Sequence, residues 1–298
     1  MTIPEPLGGG RLDKRRVAEA FNRAAATYAE HAVLQEAVVQ RLVERMDLFR
    51  IDPDVILDVG CGSGNGLRRL RRRYPRARIV GLDLALEMLR VARGGWRRLW
   101  ARESYVCGDA ESLPLADASV DLVFSSMVLQ WCPGLEAAFR EFRRVLRPEG
   151  LLLFSTLGPD TLTELRQSWA AVDRDTHVNA FLDMHDVGDA LVRAGLGSPV
   201  MDMERLTMTY PDPCAVMRDL KAIGAHNVNS GRPAHLTGKT RLRRVIEHYE
   251  RLRRDGVIPA TYEVVYGHAW APRPGSRPQD GSTVATFPLS RLGGRGGR

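Results

Sequence analysis

The chain has 298 residues, of which 44% are hydrophobic and 27% are charged. It can therefore bury a sizeable core, and this composition excludes a globally disordered chain. No stretch approaches the roughly 18 consecutive apolar residues that a membrane span needs. The formal net charge is +7, and much of it is local, because twelve arginines face only two carboxylates between Gly64 and Arg102. Such a segment predicts either an anionic partner or a solvated helix face, and composition leaves both open.

The cysteines and the first residues bear on metal binding and location. Cys61, Cys107, Cys132 and Cys214 lie far apart, without the paired spacing of a zinc site, so we expect no metal. Residues 1–12 are rich in glycine and proline, which predicts a disordered start, and they lack the apolar segment of a secretory signal. We therefore expect a cytoplasmic protein with reduced thiols.

In chain order, a helical segment precedes an alternation of strands and helices. Residues 13–50 carry apolar side chains at helical spacing. Short apolar runs then alternate with amphipathic stretches, which is typical of βαβ units in a parallel sheet covered on both faces. The predicted strands are 55–59, 78–82, 105–107, 120–125 and 151–156, and the predicted helices are 66–74, 86–93 and 135–146. The pattern predicts a doubly wound α/β fold.

The second half of the chain changes rhythm. Helices are predicted at 161–172 and 186–194, strands at 201–210 and 261–270, and two further helices at 213–223 and 239–253. The last two helices form an insertion, residues 211–255, that we expect near one edge of the sheet. Residues 272–298 are rich in proline, glycine and arginine and predict a flexible tail. We expect one domain over residues 13–271.

The turn after the first predicted strand carries the strongest local signal, in the segment Ile56–Gly64. Glycines there allow a tight turn and a close approach of the backbone to a ligand. The spacing of Gly60, Gly62 and Gly64 departs from the GxGxxG pattern of dinucleotide sites. Asp58, beside the turn, would attract an ammonium group and repel a pyrophosphate.

Two more carboxylates follow the next two strands. Asp83 ends the second strand, 23 residues after Gly60, where it can accept both hydroxyls of a ribose. Asp109 follows the third strand, where it can accept the amine of an adenine while Ala110 offers a backbone amide. Each alone would be an ordinary turn or cap residue. Together with Asp58 they predict a nucleoside with a ribose diol and an ammonium group but no phosphate, which is S-adenosylmethionine (SAM).

With these motifs the chain resembles the Rossmann-like SAM-dependent methyltransferases over about residues 55–270. The segment Phe139–Gly150 fits the same pattern, and we expect its helix to end at Pro148 and Gly150 before the fifth strand. The resemblance implies a seven-stranded sheet in the order 3-2-1-4-5-7-6, with the last strand antiparallel and an N-terminal helical cap, residues 13–50. It implies that the cofactor-binding residues are Asp58, Gly60, Cys61, Gly62, Gly64, Asp83, Leu84, Met88, Asp109, Ala110 and Ser125.

Four other segments resemble one family within this superfamily. They are Phe21–Ala32, Ser126–Cys132, Arg218–Ala225 and Pro259–Tyr262. Over about residues 13–270 the chain resembles the malonyl-[acyl-carrier-protein] O-methyltransferases, which methylate the free carboxylate of malonyl-acyl carrier protein at the start of the route to biotin. The resemblance implies SAM as the methyl donor, a malonyl-acyl carrier protein as the partner, and no nucleic-acid or membrane partner.

The same resemblance suggests roles for five side chains. Tyr28 would face the reacting methyl group, although an aromatic residue on an amphipathic helix is ordinarily core. Gln130 and Trp131 follow the carboxyl end of a strand, where open α/β sheets bind ligands. Arg218 and Lys221 share one helix face, which would either receive an acidic carrier or a carboxylate or be solvated surface.

Two other functions remain open at this point. A mitochondrial methyltransferase-like assembly factor of respiratory complex I shares the layout around residues 160–165 and the segment Pro259–Tyr262, but Leu129–Cys132 and Leu220–Ala225 match the carrier-protein enzymes more closely. A nucleic-acid methyltransferase is suggested only by the arginine-rich residues 68–102. Those arginines fall mainly on helices away from the strand ends, and no base-flipping motif is present.

Overall fold

A computed structural model of the chain describes residues 12–94, 103–225 and 238–273. The predicted disordered start, residues 1–12, and the predicted tail, residues 272–298, therefore fall almost wholly outside the described residues.

Seven strands in the described part of the chain form a single sheet. They are β1 Val55–Val59, β2 Arg78–Asp83, β3 Glu103–Cys107, β4 Val120–Ser126, β5 Leu146–Leu157, β6 Gly197–Tyr210 and β7 Ile258–Trp270. Their order in the sheet is β3-β2-β1-β4-β5-β7-β6, and β7 runs antiparallel to both of its neighbours. The predicted α/β fold, strand order and antiparallel last strand are confirmed.

The described α-helices pack around this sheet. They are α1 Lys14–Ala24, α2 Tyr28–His31, α3 Val33–Glu44, α4 Asn65–Arg73, α5 Leu86–Arg93, α6 Leu135–Val145, α7 Thr163–Ala170, α8 Met184–Arg193, α9 Pro213–Ala222 and α10 Lys239–Glu250. The first three form the helical cap, and α9 and α10 lie between β6 and β7, as predicted for the insertion. None of the described helices combines the length and apolar character that crossing a membrane requires.

The core lies on both faces of the sheet, because successive side chains of a strand point in opposite directions. In β1, Ile56 packs with Leu42 of α3 on one face, whereas Leu57 packs with Phe142 of α6 on the other. All five residues of β1 are buried. This explains why the strand is a continuous apolar run broken only by Asp58.

The junction between α6 and β5 differs from the sequence prediction. The predicted helix over 135–146 agrees with α6 to within one residue, but Pro148 and Gly150 do not form its end. Instead β5 begins at Leu146, whereas the strand was predicted from residue 151. The pairing of β5 with β4 shifts register just after this point, so Pro148 falls in an irregular part of the ladder where its missing N–H costs little. A Cβ at Gly150 would lie 2.8 Å from the carbonyl oxygen of Arg147, so the glycine is required by this irregularity rather than by a helix end.

Candidate active site

A cavity of about 640 Å³ opens at the carboxyl ends of the parallel strands. Gly60 after β1, Asp83 at the end of β2, Asp109 after β3, Ser126 at the end of β4 and Leu157 at the end of β5 all line it. Its other walls come from the helical cap, from α9 and from the chain that follows β5. This edge of an open α/β sheet is where ligands bind.

The glycine-rich turn forms the floor of the cavity. Gly60 and Gly62 line it and have φ angles of 69° and 52°, a region that favours glycine. A Cβ at Gly60 would lie 2.0 Å from Cγ2 of Val128, so no side chain fits there. Gly64, also predicted to bind the cofactor, does not line the cavity and packs against Ala92 of α5.

Asp58 lies behind the turn rather than on the cavity wall. It is 2% exposed, and its Oδ2 has no hydrogen-bond partner among the described residues. Burial, aided by the negative charge of Asp83, raises the pKa of Asp58 to about 8. Cys61 and Ser125 are likewise buried and absent from the wall, whereas Ser126, one residue further along, lines it.

Asp83 is held in place by the backbone on either side of it. Its Oδ2 accepts a hydrogen bond from the Gly62 N–H at 2.8 Å, and its Oδ1 accepts one from the Ala85 N–H at 2.8 Å. Burial raises the pKa of this carboxyl, although the backbone donors oppose the shift. Both oxygens keep further lone pairs for a ligand hydroxyl. Leu84 and Met88 extend the wall beside it.

Asp109 is held by the helical cap. Nζ of Lys14, in the first turn of α1, lies 2.6 Å from Oδ2 of Asp109 and 2.8 Å from Oε2 of Glu111. Both Asp109 and its neighbour Ala110 line the cavity, and so does Lys14. The sequence analysis did not single out Lys14, because no local pattern links residues that lie 95 positions apart.

An aromatic cluster joins the cap to the loop after β4. The ring of Phe21 lies edge-on to Trp131, with centroids 5.4 Å apart, and edge-on to Tyr28 at 6.4 Å. Tyr28 approaches the glycine-rich turn, since its Cε1 lies 4.0 Å from the position of a Cβ at Gly62. Burial and the charge of Asp83 raise the pKa of the Tyr28 hydroxyl, so this hydroxyl keeps its proton at neutral pH.

Gln130 is fixed in the same loop. Its Nε2 donates to the Met127 carbonyl at 2.7 Å, and its Oε1 accepts from Oγ1 of Thr156 at 3.4 Å. Met127 has a φ of 54°, an uncommon value for a residue other than glycine. Gln130 and Trp131 both line the cavity, so the turn after β4 presents them as an ordered pair.

The two basic residues of α9 have different surroundings. Lys221 lines the cavity and forms no ion pair with a described residue. Arg218 does not line it; the side chain is 74% exposed, and Nη2 lies 3.8 Å from Oδ2 of Asp212. A third residue of this helix, Asp219, ties it to the cap, because its Oδ1 lies 3.1 Å from Nδ1 of His31.

A further part of the cavity wall was not predicted from the sequence. It is mostly apolar and comes largely from residues 157–181, including Leu165 and Trp169 of α7. His177 also lines it, stacked on Trp169 with ring centroids 3.6 Å apart and with Nε2 2.8 Å from Oδ1 of Asp173. Helical spacing in α7 indicates a packed face, but not that this face borders a cavity.

Comparisons with known proteins identify the family. A model described as "Methyltransferase domain" matches residues 57–154. The chain is 55% identical to a malonyl-[acyl-carrier protein] O-methyltransferase of Laribacter hongkongensis, over 92% of this chain and 96% of that protein. It is 52% identical to the protein of the same name from Gallionella capsiferriformans, over 88% of this chain and 92% of that protein.

The chain belongs to the malonyl-[acyl-carrier protein] O-methyltransferase family. Membership confirms the family resemblance, the enzyme class and SAM as the methyl donor. The alternative of a complex I assembly factor finds no support among these relatives.

Solved structures add evidence on the fold alone. The YcgJ protein of Bacillus subtilis superposes with a TM-score of 0.55 at 18% identity, over 79% of this chain and all of that one. A SAM-dependent methyltransferase from Thermotoga maritima gives a TM-score of 0.50 at 16% identity, over 85% of this chain and 99% of that one. Both similarities support the overall fold described above for this member of the malonyl-[acyl-carrier protein] O-methyltransferase family.

Proposed function

We propose that this enzyme transfers a methyl group from SAM to the free carboxylate of malonyl-acyl carrier protein. The product is the malonyl methyl ester that primes pimeloyl synthesis for biotin. The observation that carries the proposal is one continuous cavity, in which Gly60 and Asp83 lie on one wall and the unpaired cation Lys221 on another. The names of the relatives support the choice of substrate.

The residues on the wall fit SAM. Gly60 and Gly62 leave backbone exposed where a methionine moiety can lie, and we assign Asp83 to the two ribose hydroxyls. Asp109 and Ala110 are assigned to the adenine. An adenine amine near Asp109 would share that carboxylate with Lys14, which leaves lone pairs on both oxygens.

The buried residues behind the wall are assigned a supporting role. Asp58, behind the turn, would attract the ammonium group of SAM electrostatically. The positive charge of that group would in turn favour the ionised form of Asp58 and lower the pKa of this carboxyl again. Cys61, Gly64 and Ser125 would shape the turn and the end of β4 without touching the ligand. Leu84 and Met88 would cover the apolar face of the nucleoside.

The chemistry requires alignment more than proton transfer. When bound, SAM supplies a sulfonium methyl group whose bond to sulfur breaks as a carboxylate oxygen attacks it. The malonyl carboxylate is already ionised at neutral pH, so no general base is needed. Tyr28, Gln130 and Trp131 would orient the substrate, and the protonated Tyr28 hydroxyl acts there as a hydrogen-bond donor rather than as a base.

Lys221 is assigned to the malonyl carboxylate. It is the cation of α9 that reaches the cavity, whereas Arg218 points toward Asp212 at the surface. The pair must remain loose, because an ion pair stronger in the ground state than in the transition state would slow transfer. Arg218 is therefore assigned to the exposed surface outside the cavity and not to the malonyl carboxylate.

The carrier protein would dock on the basic side of the insertion. Acyl carrier proteins are strongly acidic, and four exposed cations here make no ion pair with a described residue: Lys239, Arg243, Arg244 and Arg251. Two other basic residues of the insertion are not counted with these four. Arg253 pairs with Glu250, and Arg232 lies outside the described residues. We place the reaction in the cytoplasm and assign no nucleic-acid or membrane partner.

Mass spectrometry of malonyl-acyl carrier protein, incubated with SAM and the enzyme, tests the proposal. We expect the acylated carrier to gain the mass of one CH₂ unit. Carrier protein bearing an acetyl group is the control, because it has no free carboxylate. A gain on both carriers, or on neither, overturns the assignment of the malonyl carboxylate as acceptor.

A further inference from the structure

Two side-chain amides interrupt the apolar wall of the cavity. Gln35 lies in the first turn of α3 and Asn179 in the segment between α7 and α8, and both line the cavity. Their neighbours along the chain, Leu34 and Val178, line it too, and Phe181 follows. Asn179 is only 7% exposed. An uncharged hydrogen-bonding group among hydrocarbon side chains is a costly arrangement unless something pairs with it.

The protein itself does not pair with them. Oε1 of Gln35 and Oδ1 of Asn179 are buried and accept no hydrogen bond from a described residue. Other polar side chains that line the cavity already have partners: Gln130 donates to a backbone carbonyl, and Oγ1 of Thr161 donates to the carbonyl of Glu263. Buried polar groups in native proteins are nearly always satisfied. Two unsatisfied amide oxygens in the lining of one cavity therefore point to a ligand that satisfies them.

We propose that Gln35 and Asn179 bind the amide groups of a pantetheine-type arm that carries the malonyl thioester. A secondary amide presents one N–H and one carbonyl, which complement the acceptor oxygen and donor nitrogen of a side-chain amide. Between its amides such an arm is hydrocarbon, as is the wall around these two residues. The inference rests on the proposed function, because it names the part of that substrate which this wall binds.

The anionic groups of the substrate would be bound by residues other than Gln35 and Asn179. Arg23 of α1 and Lys221 of α9 line the cavity and have no ion pair with a described residue. The chain just after α9 packs against α1, since a Cβ at Gly224 would lie 3.2 Å from the carbonyl oxygen of Ala20. Arg23 and Lys221 are thus the cations available to anionic groups of the substrate, and Gln35 and Asn179 are the neutral hydrogen-bonding groups.

A series of malonyl thioesters separates the contribution that the amides make to binding from the contribution of the rest of the arm. The thioester of butanethiol has no amide, that of N-acetylcysteamine has one, and that of pantetheine has two. For the wild type we expect KM to fall along the series. Asn179→Leu and Gln35→Met nearly keep the side-chain volume, and each should raise KM for the pantetheine thioester about tenfold, which corresponds to one lost hydrogen bond.

The matched control is Gln40→Met, on the same helix as Gln35 but exposed and hydrogen-bonded to Glu44. It should leave all three KM values unchanged. KM for the butanethiol ester should also be unchanged in Asn179→Leu and Gln35→Met. Their melting temperatures should equal or exceed that of the wild type, because an unpaired buried amide has been removed. Equal KM increases on all three thioesters, or lower melting temperatures, would show that the amides support the fold and overturn the inference.

A separate binding measurement tests the inference even if the proposed function is wrong. If the wild type methylates none of the three thioesters, the assignment of the malonyl substrate fails, but binding remains measurable. Calorimetry then follows pantetheine itself binding to the protein loaded with S-adenosylhomocysteine. Binding that both variants lose supports the inference about the wall. Undiminished binding in both variants, or no binding to the wild type, overturns it.

Discussion

Nζ of Lys14 lies 2.6 Å from Oδ2 of Asp109, and this contact joins the first turn of the helical cap to the loop after β3. Lys14 also contacts Glu111, so it interacts with two carboxylates at once. Asn22 ties the same helix to α5 by accepting the Glu87 N–H at 2.9 Å. Helix α1 is thus attached near its start to the loop after β3 and near its end to α5.

Replacing Lys14 tests this attachment. We expect Lys14→Met to speed dissociation of S-adenosylhomocysteine several-fold, because a partly buried ion pair worth on the order of 1 kcal/mol no longer holds α1 closed. Stopped-flow fluorescence of the tryptophans would measure the rate. Arg15→Met is the control, since Arg15 is exposed and pairs only with Glu19 on its own helix. An unchanged rate in Lys14→Met would mean that α1 does not gate the site.

The assignment of the ribose to Asp83 predicts a large loss of cofactor affinity. Asp83→Ala removes a two-point, charge-assisted contact, and SAM binding should weaken by about 2–3 kcal/mol. Calorimetry would measure it, with Asp52→Ala as an exposed control away from the cavity. Gly62→Val should be worse still, because φ is positive there and the side chain would enter the site. Full SAM affinity in Asp83→Ala would refute the assignment.

The raised pKa of Asp58 predicts a stability that depends on pH. Folded Asp58 holds its proton up to about pH 8, whereas an unfolded aspartate loses it near its ordinary pKa of 3.8. Raising the pH from about 4 to 8 thus deprotonates Asp58 only in the unfolded chain, which lowers the free energy of unfolding. The neutral variant Asp58→Asn lacks this dependence.

Denaturation at several pH values, without ligand, would compare the two proteins. The stability of the wild type relative to Asp58→Asn should fall steadily between pH 5 and pH 8. A difference that is constant over this range would mean that Asp58 is ionised throughout. Saturating SAM should reduce the slope, because an ammonium group near the turn favours the carboxylate.

Methyl transfer should not depend on a titrating base. At saturating SAM we expect kcat to be flat from about pH 6 to pH 9 and to fall below about pH 5, as the malonyl carboxylate protonates. His177→Gln should retain this profile, since His177 is assigned no proton transfer. A loss of rate centred near pH 6.5 that one histidine substitution abolishes would contradict the mechanism.

Charge reversal on α10 should affect only the carrier-protein substrate. Arg243→Glu together with Arg244→Glu should raise KM for malonyl-acyl carrier protein severalfold at low salt, and added salt should shrink the difference. Turnover of malonyl-pantetheine should stay the same. The paired substitutions Arg50→Glu and Arg72→Glu change the net charge equally at exposed positions elsewhere. Equal effects from both pairs would mean that α10 is ordinary solvated surface.

Most of the fold follows from local patterns in the sequence. Buried strands such as β1 and β4 are short continuous apolar runs, and α5 has the bounds that its apolar spacing predicts. The glycine-rich turn and Asp83 were found because chain reversal and ribose binding constrain residue type at defined positions after a strand. The start of β5 was predicted at residue 151 rather than at Leu146, because the irregular first part of this strand depends on pairing with β4 rather than on local propensity.

Several other residues that line the cavity could not be predicted in the same way. Gln35, Asn179 and Arg23 come from three separate segments, and only tertiary packing brings them to one cavity. Arg218 and Lys221 share a helical face by spacing, yet one points outward and the other lines the cavity. The spacing of residues along a helix predicts which side chains share a face, but it does not predict what each of them contacts in the folded protein.

The position of β7 has a consequence for how the chain is made. This strand is synthesised last but lies between β5 and β6, and it pairs with β5 along seven residues and with β6 along twelve. Until Ile258–Trp270 has left the ribosome, both older strands have an unpaired edge, the kind of surface on which nascent chains associate. Translation that stops before Ile258 should therefore yield an insoluble product, whereas a stop after Arg273 retains every described strand.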